Sequence, residues 1–66
     1  MTRVRELRQQ KNLSVIGLSY ETHIHPTEIS GIEHRKRAAS ANARAKLCAF
    51  FGIAEGEAFE DGGLAM

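Results

Sequence analysis

The stretch Leu13–Glu33, LSVIGLSYETHIHPTEISGIE, leaves this chain few ways to fold. Within it, the six residues Ile24–Ile29 specify how a helix begins. Proline suits a first helical position, because its missing N–H would have no intrahelical partner there. With Pro26 in that position, His25 falls at the cap and Glu28 at the third position, where a carboxylate can reach back to the cap backbone. Ile24 and Ile29 occupy the two positions of a hydrophobic staple. A helix is therefore predicted over about residues 26–33, with Ile29 and Ile32 on its inner face. Upstream, Ser14 is a good N-cap for a helix over about 15–22, and Leu13 and Leu18 form its staple. Gly17 weakens that helix by about 1 kcal/mol relative to alanine. Leu18, Ser19 and Thr22 make its inner side, and the small Ser19 lets the next helix come close. Two short helices must then flank a tight turn at His23.

The flanking sequence supplies further helices. Thr2 caps a helix over about 3–11, with Val4 and Leu7 inward and Asn12 as its stop. Residues 34–39 begin with HRKR and read as a polar basic loop. Ser40 caps a longer helix over about 41–51, with the apolar stripe Ala43, Leu47, Phe50 and Phe51. Gly52 ends it in the left-handed conformation, and Ile53 packs back. A short fifth helix over about 55–60, weakened by Gly56, brings in Ala58 and Phe59. The expectation is one all-α domain of five helices over residues 1–60, with 61–66 (DGGLAM) a flexible tail unless a partner holds it.

Composition excludes several alternatives. A chain of 66 residues buries only about 60% of its unfolded surface. A single cysteine allows no internal disulfide and no metal-finger spacing. No run reaches the roughly 18 apolar residues of a membrane span, and the N-terminus lacks an apolar signal core, so a cytoplasmic protein is expected. The net charge is only +1 but unevenly spread. Residues 1–37 hold seven Lys/Arg against four Asp/Glu, and residues 38–66 hold two against four. A polyanion would be drawn to the first part and repelled by the second.

Taken together, the chain resembles the lambda-repressor-like family, also called the Cro/CI or XRE family. KNLS (11–14), EISGIE (28–33), Lys36-Arg37 followed by Ser40, and FFGI (50–53) stand at that family's separations. The resemblance covers residues 4–59. It implies a compact five-helix DNA-binding domain with a helix-turn-helix at helices 2 and 3. Leu7, Leu13, Leu18, Ile24, Ile29, Ile32, Leu47, Phe51, Ile53 and Phe59 fall on the family's core positions. Arg8 and Glu33 fall on a pair that ties the first helix to the third, a task suited to the bidentate guanidinium fork.

The resemblance also assigns DNA contacts. The third helix becomes the recognition helix, with Pro26, Thr27 and Gly31 on its base-reading positions. Pro26 and Gly31 offer no side-chain hydrogen bond, whereas Thr27 can bond weakly or meet a thymine methyl. Glu28 can accept from a cytosine amine, and His25, Ser30 and His34 stand at the groove edge. The bare Gly31 lets the helix sit deeper. Ser14, Val15, Tyr20, Arg35, Lys36 and Arg37 are the implied phosphate contacts. Three residues depart from the family pattern: Val15 stands for a phosphate-binding glutamine, and His23 and Arg35 for glycines. His23 is expected in a left-handed conformation.

Specific binding by such a unit needs two copies, so a homodimer is expected. Phe50, Ile53, Phe59 and Leu64 are its apolar candidates, because adjacent Phe50 and Phe51 cannot both face one small core equally. His23, His25 and His34 have no completing ligand, so no metal, cofactor or enzymatic activity is expected. Cys48 reads as a buried small hydrophobe. The expected function is a homodimeric bacterial or phage transcription repressor acting at the nucleoid by occupying operator half-sites. The alternative is an antitoxin-like or adaptor module that binds a protein partner on the same scaffold, motivated by Val15, Pro26 and Gly31.

Overall fold

A computed structural model describes residues 1–66. It contains four α-helices: α1 (Arg3–Gln10), α2 (Val15–Thr22), α3 (Pro26–Glu33) and α4 (Ala41–Phe51). Each starts at a side chain that accepts an otherwise unpaired backbone N–H. Thr2 accepts from Arg5 (3.3 Å), Ser14 from Gly17 (2.9 Å), His25 Nδ1 from Thr27 (3.1 Å) and Ser40 from Ala43 (3.1 Å). Glu28 makes no return bond to the His25 backbone, so the third helix is capped by the imidazole alone. That ring must present an unprotonated Nδ1.

The helix ends are equally local. Asn12 (φ 57°), His23 (φ 60°), Arg35 (φ 58°) and Gly52 (φ 69°) all turn left-handed just past a helix. Only the last is a glycine, so the others carry strain that glycine would relieve. His23 donates its N–H to the Ser19 carbonyl (2.8 Å), and Ser19 Oγ donates to the Ile24 carbonyl (2.6 Å). These bonds fix the turn between α2 and α3.

The core forms where the inner faces meet. Val4, Leu18, Ile29, Ile32 and Leu47 are fully buried. Leu13, Val15, Phe50, Phe51 and Ile53 pack at its margin, and Leu7 is half-buried rather than central.

Two expectations about residues 55–66 are corrected. The fifth helix is only a 3-10 turn, Glu55–Glu57. Gly56 disfavours continuation, and the Ala58–Phe59 backbone is drawn into other pairing. Residues 61–66 are not a loose tail: they fold back over the domain. Phe59 and Ala65 form an antiparallel bridge, and Met66 N–H donates to the Ala58 carbonyl (2.9 Å). Arg3 N–H reaches the Met66 carbonyl (2.6 Å), and Ala39 N–H reaches the Gly63 carbonyl (2.9 Å). Ala65 is fully buried as a result.

Candidate functional site

The two faces of α3 have opposite characters. Ile29, Ile32 and the Glu33 side chain point inward and are buried. Thr27 and His34 are exposed on the other side, with Ser30 and Gly31 between them. Thr27 and Gly31 are four residues apart and so share a face. Thr27, Ser30, Gly31, His34 and Lys36 line an open concavity of about 420 Å³ that contains no apolar side chain. His34 Nδ1 donates to the Ser30 carbonyl (2.9 Å), because a carbonyl can only accept, and this leaves Nε2 without a partner on an exposed side chain.

The chain leaves α3 through a Schellman turn. Arg35 N–H donates to the Ile32 carbonyl (3.1 Å) and Lys36 N–H to the Gly31 carbonyl (2.9 Å), with Arg35 in the left-handed conformation. This turn sends the next residue back over the helix. The aliphatic stem of Arg37 lies across Gly31, where a β-carbon would stand 2.7 Å from Arg37 Cδ and 3.0 Å from its Cγ. Gly31 is therefore covered by the Arg37 stem and is not the open notch the sequence suggests.

The three cations of the loop are not equivalent. Arg35 pairs with Glu60 at 2.9 Å, both side chains being about half exposed, which is worth less than about 1 kcal/mol. Lys36 and Arg37 are exposed and have no carboxylate within ion-pair distance.

Beneath the site, Arg8 Nε and Nη2 donate to the two oxygens of Glu33 at 2.7 and 3.0 Å, and Arg8 Nη1 donates to the Leu13 carbonyl at 2.8 Å. The Glu33 side chain is 1% exposed and that of Arg8 13%. The hydrogen bonding of Arg8 to Glu33 is the main force raising the Arg8 pKa, burial opposes it, and the carboxylate charge adds to it. One guanidinium thus holds α1, the start of the α2 cap and the end of α3 together.

The outer face of α2 is more apolar. Ser14 is exposed, though its oxygen already accepts the Gly17 N–H. Val15 is half-buried against the core, which leaves its side chain little to offer a phosphate. Tyr20 is 79% exposed and Ile16 is 56% exposed. These two residues, with His23, Ile24, His25 and Pro26, line a second open groove.

The remaining candidates divide clearly. Phe59 is buried in its own core and is withdrawn from any dimer surface, while Phe50, Ile53 and Leu64 stay partly exposed. Phe50 stacks edge-on with Phe51 (5.1 Å between centroids) and lies under the Lys11 ammonium (5.5 Å). Cys48 is buried, and burial is the main reason its thiol pKa is raised, with Glu55 and Glu57 adding to the effect and Arg44 opposing it. No group of three His, Cys, Asp or Glu side chains is placed to hold a metal ion. Sequence reasoning missed the Arg37–Gly31 contact and the clamp by Arg44, which bonds Ala39 O (2.6 Å) and Glu55 (3.0 Å). Gly31 itself was the available signal for the first.

Comparison of the chain with protein-family models, curated proteins and solved structures gives no match in any of the three. No helix is long and apolar enough to cross a membrane.

Proposed function

We propose that this chain is a DNA-binding transcription regulator of the lambda-repressor-like kind, with α2, the His23 turn and α3 acting as a helix-turn-helix. The observation that carries this reading is the polar outer face of α3 bordered by Lys36 and Arg37, two cations with no carboxylate partner. The opposite face of the same helix is anchored by Ile29, Ile32 and the Arg8–Glu33 pair. A B-form major groove about 12 Å wide admits such a helix. Thr27 then meets base edges, with Ser30 and His34 beside it, while Lys36 and the N-terminal amides of α2 bind phosphates. Arg35 joins them by exchanging its weak pair with Glu60.

A homodimer, using the half-exposed Phe50, Ile53 and Leu64, places two such helices on two half-sites. It represses by occupying the operator. A second reading, an antitoxin-like or adaptor module, is supported by the exposed Ile16 and Tyr20, which stand one turn apart on α2. A salt series distinguishes the two. Binding to a random-sequence duplex should weaken steeply with salt, and Lys36→Ala should reduce the log–log slope by about 0.9 for one lost phosphate contact. No binding at low salt contradicts DNA recognition and leaves the protein-partner reading.

A further inference from the structure

The base-reading positions of α3 are poor in hydrogen-bonding groups, yet one of them is occupied from outside the helix. Gly31 has no side chain, and the stem of Arg37 lies where one would begin. Three features produce this arrangement. The left-handed Arg35 and the bonds from Arg35 and Lys36 to the Ile32 and Gly31 carbonyls reverse the chain at the end of α3. The absence of a β-carbon at Gly31 lets the Arg37 stem lie flat on the helix. The Arg37 guanidinium bonds no group of the protein, so its five N–H donors remain unspent.

Resting on the DNA-binding reading above, we propose that Arg37 reads a base rather than a phosphate. Seated on Gly31, it serves as the specificity-determining side chain of α3 and selects a guanine in the major groove. Guanine presents O6 and N7 as two adjacent acceptors, the pattern a guanidinium fork meets bidentately. A phosphate contact needs no seat on the helix, because any surface arginine supplies one. The stem instead lies on the face that carries Thr27, one turn along the helix.

The seat gives the proposal a test that leaves charge unchanged. In Gly31→Ala the new methyl displaces the Arg37 stem. The atoms it meets belong to a flexible side chain, and alanine is the better helix former, so the fold is retained. Sites are first selected by the wild-type protein from a pool of random duplexes. Single-base variants of the selected site are then compared across wild type, Arg37→Ala, Arg37→Lys, Gly31→Ala and the double variant Gly31→Ala/Arg37→Ala, with thermal unfolding run alongside.

The expected result is a guanine whose replacement costs wild type about 5- to 150-fold in affinity. That preference should collapse in Arg37→Ala and Gly31→Ala and weaken in Arg37→Lys, which keeps the charge but loses the fork, while preferences at other positions persist. In the Arg37→Ala background, Gly31→Ala should change the guanine preference no further. If Arg37→Ala weakens all duplexes equally and lowers the salt slope, Arg37 is a phosphate contact and the proposal fails. It also fails if wild type binds duplexes without sequence preference, or if Gly31→Ala keeps the guanine preference. If wild type binds no duplex at low salt, the DNA-binding reading itself falls and takes this proposal with it.

Discussion

Arg8 spends all three of its bonding nitrogens inside the molecule, two on Glu33 and one on the Leu13 carbonyl. Because the Glu33 side chain is 1% exposed, Arg8→Ala leaves a buried carboxylate without a counter-charge. Breaking such a pair costs roughly 3–5 kcal/mol, a large share of the roughly 3–10 kcal/mol available to a chain this size. Urea unfolding should show that loss, and the apolar double replacement Arg8→Met/Glu33→Leu should recover much of it. A loss under about 1 kcal/mol for Arg8→Ala would place the pair among ordinary surface bridges. The pair brings no alkaline weakness at working pH. A base whose pKa is raised keeps its stabilising charge below its ordinary value and loses it only above. Cys48 has a raised pKa for a different reason, since burial favours its neutral thiol. The folded state then holds that proton more tightly, so its contribution is complete below the ordinary value of 9.0 and declines as pH rises past it. The stability advantage of wild type over Cys48→Ala should therefore shrink as pH rises past 9.0. Parallel stability profiles would show that the buried thiol does not respond to alkaline pH.

At the scale of elements, the short helices differ from the C-terminal segment in how far apart their determinants lie. Gly63 shows this best. Its φ is +90°, and a β-carbon there would stand 2.6 Å from both the Ala39 carbonyl oxygen and Arg44 Nη1. Gly63→Ala should cost about 1–3 kcal/mol and speed amide exchange at Ala39 and Met66. Gly62→Ala meets nothing within 4 Å and is the matched control. Equal melting temperatures for the two variants would show that the fold-back is not holding the domain. The same contrast explains what could be read from the sequence. Caps, stops and staples lie within about four residues of one another, so Thr2, Ser14, Pro26 and Ser40 placed all four α-helices closely. The Arg8–Glu33 pair, 25 residues apart, became visible only through a family resemblance. Ala39 with Gly63, and Phe59 with Ala65, left no local trace, because the glycine-rich DGGLAM carries the composition of a free tail. The predicted fifth helix failed for the same reason: its apolar residues were claimed by the returning chain. At the site, the polar face of α3 followed from helix periodicity. The seating of Arg37 did not, because it depends on a Schellman turn closed by arginine instead of glycine.

As a whole, the molecule measures 27 × 22 × 22 Å. Half-sites one helical turn apart on DNA lie about 34 Å from centre to centre, so in the proposed complex one copy covers one half-site and a dimer covers two. The charge asymmetry of the sequence acquires a spatial meaning in the fold. Glu55 and Glu60 are engaged by Arg44 and Arg35, and Glu33 by Arg8, whereas Lys36 and Arg37 at the end of α3 remain unneutralised. The proposed recognition surface is therefore small, polar and cationic, and a helix anchored by its buried face carries it. Backbone amide chemical shifts during titration with a short duplex at low salt test this directly. Binding through α3 predicts changes concentrated at Thr27, Ser30, Gly31, His34, Lys36 and Arg37 and at the start of α2, with Ile53 and Glu57 unmoved unless dimerisation accompanies binding. Shifts centred on Phe50 and Ile53 alone, or none at stoichiometric duplex, would contradict it.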